Sequence, residues 1–468
     1  MRSIFTASFI LLLSTIFLTE NLSACSTFKL QKGDHLLYGH NLNEGDIGVP
    51  GLIFINKRGL FKKGRTWAEL INKEDKNPSD FYWISRYGSV TFNNFGRDFP
   101  DGGMNEAGLY IWEMNENPQY PKNDSLPKLN QMNWMQYILD NCCTLDEALA
   151  CAYQFEIDGW GWHYFMGDSK GNCAAVTFVE GKPLIHKNEN MPIPGLFNEP
   201  YDREMQVLKY FKGYGGNYNP DLTDSEVPRF VKTAVMIRDF DPNTNAVDYG
   251  LYMLDRLQVS DLPEWSILFD AKNMDIYFKT RINPEVKSFS MNEIDFSNKS
   301  PVVILDMDIQ NGGDVFDLFL PYSNKKMKDF LENKILPIIP EEFFLMGGLP
   351  LEECVTNITS HTDAPLMKEN QFFTGVWKNK PEGEDDMEIK LNLHMKEEAV
   401  NGDAANSFEK EKGYTMDHLQ LTDHKMDFTF KTAGGTLIEI QGVFKNNELT
   451  VQMFGTEYYY GSYVLYKQ

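Results

Sequence analysis

The chain has 468 residues, 42% of them hydrophobic and 13% aromatic, enough apolar material for a large core and more than one domain, which excludes disorder as the default. Its formal net charge is −23, so nucleic acid or an anionic membrane would be repelled rather than held.

Residues 1–24 carry one basic side chain, Arg2, then a predominantly apolar run from Ile4 to Leu18 and the small residues Ser23 and Ala24 before Cys25. This pattern predicts an export leader and a secreted or periplasmic mature chain. No later stretch keeps the roughly 18 uncharged apolar residues a membrane-spanning helix needs, so no transmembrane segment is expected.

After Cys25 the sequence predicts short strands, STFKLQK, HLLYGHNL and GLIFINKRG, with glycine and aspartate between them. A helical stretch follows over Asn133–Phe155, where Met135, Ile138, Leu139 and Cys142 recur at helical spacing and Thr144 can cap a new turn. His163–Gly167 with Cys173–Phe178, and Trp265–Phe269 with Met274–Phe278, read as hairpins around DSKGN and DAKN. The segment 313–337 reads as helical. Polarity rises near VTNITSHTDAPLMKENQ, which predicts a linker over 346–365. Residues 366–468 form a separate unit of alternating strands, an antiparallel sandwich or barrel. Its Tyr458–Tyr460 run suits core packing or the lining of a cavity.

The six cysteines, at 25, 142, 143, 151, 173 and 354, are too few and irregular for a disulfide framework, and those on the helix read as core thiols. The histidines are scattered without an HExxH pattern, so no metal and no other cofactor is expected.

Cys25 itself admits two fates. If cleavage makes it residue one, its α-amino group, with a reference pKa of about 7.7–8, can take the thiol proton and return it to a leaving amine. Leu22-Ser23-Ala24-Cys25 also suits a lipobox, whose cysteine is lipidated on sulfur and acylated on nitrogen. The two exclude each other, because lipidation occupies the nucleophile and acylation removes its base. The second fate gives a lipid-anchored protein that binds an apolar ligand through its C-terminal β domain, with a degenerate hydrolase domain as scaffold.

Downstream elements separate the two. Cys25-Ser-Thr-Phe, Gly39-His-Asn-Leu-Asn43, Gly103-Met-Asn-Glu-Ala-Gly-Leu109 with Met114-Asn115, Phe197-Asn-Glu-Pro200 and Pro228-Arg-Phe230 occur in an order and spacing that resemble the choloylglycine hydrolase and penicillin V acylase family, linear amide hydrolases with an N-terminal nucleophile. The resemblance spans most of residues 25–300. It implies an α+β fold, an αββα sandwich over 25–345, with the β-barrel or lipocalin-like domain of 366–468 appended. It implies Cys25 as nucleophile and base, Asn115 helping to hold the oxyanion, Asn198 positioning the amide and Arg229 as the site cation. Fixed neutral donors of this kind stabilise the developing oxyanion without quenching the thiolate. His40 and Asn43 stand where the family usually has an arginine and an aspartate; Asn43 can accept a hydrogen bond from the α-amine but supplies no charge. The implied partner is a small-molecule acyl amide, such as a conjugated bile salt, penicillin V or an N-acyl homoserine lactone. Self-association through the C-terminal domain is left open.

Overall fold

The computed structural model describes residues 25–43, 49–71, 79, 81–123, 125–259, 265–338, 348–359, 375–379, 388–396, 399–406, 414–422, 425–432, 435–445, 448–455 and 459–467. The expected leader, residues 1–24, lies outside them.

Two sheets face each other. The first runs, in spatial order, Gly195–Leu196, Ser26–Lys32, His35–Leu42, Trp265–Asp270, Asp275–Thr280, Lys287–Ser290 and Gly313–Asp314. The second has nine strands, with Cys173–Val179, Trp162–Gly167, Tyr110–Asn115, Gly102–Asn105, Ser89–Asn93 and Leu52–Asn56 at its centre. Aromatic side chains interlock between them: Tyr38 stacks on Tyr110 at 4.7 Å, and Phe269 meets Tyr110 edge-on at 5.5 Å. Helices cover both outer faces, Arg229–Asp239 and Ala246–Arg256 on the first sheet, Gln131–Asn141 and Leu145–Ala150 on the second. The helix-sheet-sheet-helix order is the one expected. Its central strands are buried on both faces; His35–Leu42 is buried at seven of eight positions, which erases the polar alternation of a half-exposed strand.

Polar groups inside this sandwich are used as ties. Asn41 donates to the Leu254 carbonyl at 2.8 Å and accepts from the Ser266 hydroxyl at 2.8 Å, fastening a helix C-terminus to two strands. Lys62, 1% exposed, lies 2.9 Å from Asp98 and 2.8 Å from Asp140.

Most predicted elements are present. The helix predicted over 133–155 is two helices broken at Cys142–Thr144, and Thr144 forms a capping box with Glu147. Both hairpins form. The segment 313–337 corrects the expectation: Gly313–Asp314 and Leu320–Pro321 are short strands, and the helix begins only at Asn324, capped by Ser323. A second correction falls in the predicted linker, where Leu351–Thr359 is a helix with Cys354, Val355 and Ile358 buried in an apolar cluster. Its polar residues misled the composition reading because they occupy one face of a helix whose other face is apolar.

In the C-terminal region the described strands form one nine-stranded antiparallel sheet. It curls until Ala399–Asn406 approaches Asp417–Thr422, and Trp377, Phe428, Ile440, Leu449, Val451 and Leu465 fill its inner side. The sheet docks beside the Gln131–Asn141 helix. Arg86 pairs with Asp427 at 2.7 Å and Glu439 at 2.8 Å, Gln441 donates to the Tyr137 hydroxyl at 3.1 Å, and Phe454 packs with Phe81, Tyr137 and Phe155. Tyr459, from the tyrosine run, meets Phe81 edge-on and Phe454 at a tilt, as packing rather than cavity lining; Tyr458 lies outside the described residues.

Candidate functional site

Cys25 immediately precedes the Ser26–Lys32 strand, which lies between His35–Leu42 on one side and Gly195–Leu196 on the other. Register then dictates its neighbours. Thr27 faces His40 and Leu196, so continuing each antiparallel ladder past its last pair brings Asn43 and Asn198 to the same end of the sheet as Cys25. Across the sandwich, Asn115 ends its strand opposite Trp162.

Arg229 joins these segments. It is the first residue of the Arg229–Asp239 helix, where Pro228, at φ −55°, sets the entry angle. One guanidinium nitrogen donates to the Cys25 carbonyl at 2.8 Å and to the Ser26 hydroxyl at 2.7 Å; the other donates to Asn198 Oδ1 at 3.1 Å. Asn198 Nδ2 in turn donates to the Asn115 carbonyl at 3.1 Å. A planar fork of donors suits this task of holding several acceptors in fixed directions. The cation also lies 5.2 Å from the centre of the Phe197 ring. Burial lowers the Arg229 pKa to about 10, opposed by the charges of Cys25 and Glu204, so it remains a cation at neutral pH.

Cys25 is fully buried, and Asn43 is 2% exposed. The structure therefore brings Cys25, Asn115, Asn198 and Arg229 into one hydrogen-bonded group and sets Asn43 at the same sheet end. His40 is placed differently. Its ring stacks on Trp112 at 3.9 Å between the sheets, wholly buried, with neither ring nitrogen hydrogen-bonded among the described residues. Burial pushes its pKa well below the usual histidine range, so a neutral packed ring stands where the family's arginine was expected.

Three contributors were not singled out from sequence. Ser26 accepts from Arg229. His163, on a predicted hairpin strand, is packed and also bonds the Phe197 carbonyl through Nε2 at 2.5 Å, fixing the peptide that leads into Asn198. The carbonyl can only accept, so Nε2 carries the proton; burial lowers the His163 pKa to about 4, the Phe197 hydrogen bond opposing it. Glu204 is buried on the Tyr201–Leu208 helix, and burial raises its pKa to about 7 against the pull of Arg229. A signal for it existed: Tyr201, Glu204 and Leu208 are the buried positions of that helix, which puts a carboxylate on an apolar stripe.

The Gly103–Leu109 motif is a structural turn. Asn105 accepts from the backbone of Ala107 and Leu109 and donates to the carbonyls of Leu139 and Cys142. Gly108 closes the turn at φ +81°, where a side chain would be strained and would meet Ser169. Among the described residues no group of acidic, histidine or cysteine side chains has the makings of a metal site, and no helix is long and apolar enough to cross a membrane.

No family profile matches the chain. It is 24% identical over 262 residues to a penicillin V acylase of Pectobacterium atrosepticum, covering 46% of this chain and 69% of that protein. Among solved structures, a penicillin V acylase from Agrobacterium tumefaciens superposes with a TM-score of 0.55 at 21% identity, covering 64% of this chain and 98% of that one. A conjugated bile acid hydrolase from Clostridium perfringens gives 0.47 at 18% identity, covering 62% and 99%. The acylase is thus matched almost end to end, with more than a third of this chain left over. Together with the ordered motifs, the two acylase matches support one conclusion: the resemblance to the choloylglycine hydrolase and penicillin V acylase family holds in sequence and in fold.

Proposed function

We propose that the chain hydrolyses a small-molecule acyl amide through a thioester on Cys25, after export and removal of residues 1–24. The observation that carries this reading is the convergence of Arg229 on Cys25 and Asn198, residues 173 positions apart in sequence. In the first step the α-amine of the new N-terminus takes the thiol proton, and sulfur attacks the amide carbon to give an oxyanion. Asn198 and Asn115 supply neutral donors at that end of the sheet. Collapse breaks the carbon–nitrogen bond, the ammonium returns its proton to the leaving amine, and an acyl thioester remains. Water, deprotonated by the same amine, then attacks the thioester and releases the carboxylic acid and the thiol.

Arg229 positions Cys25 and Asn198 through hydrogen bonds and adds positive potential that favours the thiolate. With Asn43 in place of an aspartate, the protonated amine lacks a neighbouring negative charge, which keeps its pKa low and its free-base fraction high near neutrality. Penicillin V and conjugated bile acids, named for the relatives, and N-acyl homoserine lactones are the substrates to try. The C-terminal sheet is read as a lipocalin-like unit whose filled interior and docked face suit support of the hydrolase domain.

The test is the intact mass of the exported protein, followed by turnover of those three amides by the wild type and by Cys25→Ala. A chain beginning at unmodified Cys25, with turnover abolished by the substitution, is expected. A mass carrying diacylglycerol and an N-acyl chain, or turnover that survives Cys25→Ala, overturns the reading.

A further inference from the structure

The Cys142 and Cys151 sulfurs lie 3.5 Å apart, with both side chains buried, and the hydrolytic site uses neither. Cys142 ends the Gln131–Asn141 helix with its N–H bonded to the Ile138 carbonyl at 3.0 Å, and its own carbonyl accepts from Asn105 at 2.7 Å. Cys151 follows the Leu145–Ala150 helix, and its carbonyl accepts from the Trp134 indole at 3.2 Å. Each backbone is therefore held independently, on two helices joined by the tight Cys142–Thr144 corner, with the side chains aimed at each other. Closing the sulfurs to a bonded distance of about 2.05 Å requires a movement of roughly 1.5 Å, within the reach of small side-chain rotations. Cys143, the sequence neighbour, is partly exposed and turns instead toward Tyr87 and Glu147.

We infer that Cys142 and Cys151 are a redox pair that closes to a disulfide when the chain folds in contact with a disulfide donor. In the balanced exchange, one thiolate attacks the donor disulfide and releases its first thiol; the second thiolate attacks the resulting mixed disulfide and releases the other. Two electrons and two protons pass from the cysteines to the donor. In the folded protein the hydrogen bond between the thiols and their burial raise the Cys142 pKa, so the exchange belongs to the folding chain rather than to the finished molecule. The bond would tie the end of one helix to the end of the next, near Tyr137, the residue that receives Gln441 of the C-terminal sheet. The redox state of this pair thus sets the stiffness of the platform on which the C-terminal domain sits.

This inference is independent of the amide chemistry, and so is its test. The full chain is prepared without reductant, or refolded with oxidised glutathione, then denatured, alkylated with N-ethylmaleimide and mapped by peptide mass before and after reduction. Residues 142 and 151 should be unlabelled and cross-linked before reduction and labelled after it, whereas Cys143→Ala should leave the cross-link intact and Cys151→Ala should free Cys142 for labelling. Reductant should lower the Tm of the wild type by roughly 5 °C and leave that of Cys151→Ala unmoved. Full labelling of both residues after the oxidative refold, or a cross-link through Cys143, overturns the inference.

Discussion

Arg229 donates to the Cys25 carbonyl at 2.8 Å and, through the other arm of the guanidinium, to Asn198 at 3.1 Å, so one side chain sets the distance between the Cys25 backbone and the loop that faces it. Arg229→Lys keeps the charge but cannot hold both acceptors in fixed directions. It should lower kcat/KM by about 100-fold, and Arg229→Met by more, since hydrogen bonds to charged groups contribute about 1.5–3 kcal/mol each. Steady-state kinetics on a cleaved amide check this, with circular dichroism to confirm folding.

Glu204 makes the site pH-sensitive. Its pKa of about 7 in the fold, raised chiefly by burial against the pull of Arg229, lies above that of a free glutamate, so the folded state binds the extra proton. That contribution to stability is fully present below about pH 4.3 and is lost as pH rises through about 7, on the order of 3 kcal/mol across the window. Glu204→Gln should flatten the stability profile there. By removing the Glu204 charge that offsets Arg229, it should also lower the Cys25 thiol pKa, read from the pH dependence of iodoacetamide alkylation.

His163 runs the other way. With a folded pKa of about 4 it is neutral in the fold and charged when unfolded in acid, so stability falls as pH drops from about 6.5 toward 4, again by roughly 3 kcal/mol. His163→Gln, which keeps a donor for the Phe197 carbonyl, should remove that acid sensitivity and retain most turnover. His163→Met should remove it too, while lowering kcat about tenfold through a loosened Asn198 peptide. Urea titrations at pH 4.5 and 7.5, with kinetics at pH 7.5, separate the two effects.

Arg86 links the two parts of the chain. Its partner Asp427 is 1% exposed, so Arg86→Met would take a charge partner from a buried carboxylate, at about 3–5 kcal/mol. Pairing it with Asp427→Leu should recover much of the loss. Urea unfolding of the single and double variants measures both, and additive losses would count against a direct interaction.

Sequence singled out Cys25, Asn115, Asn198 and Arg229 because they sit in ordered motifs, and the fold draws the four together. It also marked the strand pairs around short turns, because turn residues and flanking apolar runs are local signals. His40 shows the limit. The motif placed it at the site, yet its ring packs on Trp112, 72 residues away, and only the pairing of two sheets decides which way it faces. The Leu351–Thr359 helix was hidden for a related reason: its apolar positions gain meaning from Leu52, Phe54 and the Asn324–Phe330 helix, with which they share one cluster. His163 was recognisable as a buried strand residue, but its bond to Phe197 crosses from one sheet to the other, and no local pattern encodes that.

The reach of Arg229 back across 204 residues also has a meaning in time. A ribosome adding about 5–20 residues per second emits Cys25 roughly 10–40 s before Arg229. For that interval the thiol exists without the group that orients it, and no shorter nascent chain can assemble the site. Latency is thus written into the order of synthesis, before any cleavage of the leader is considered.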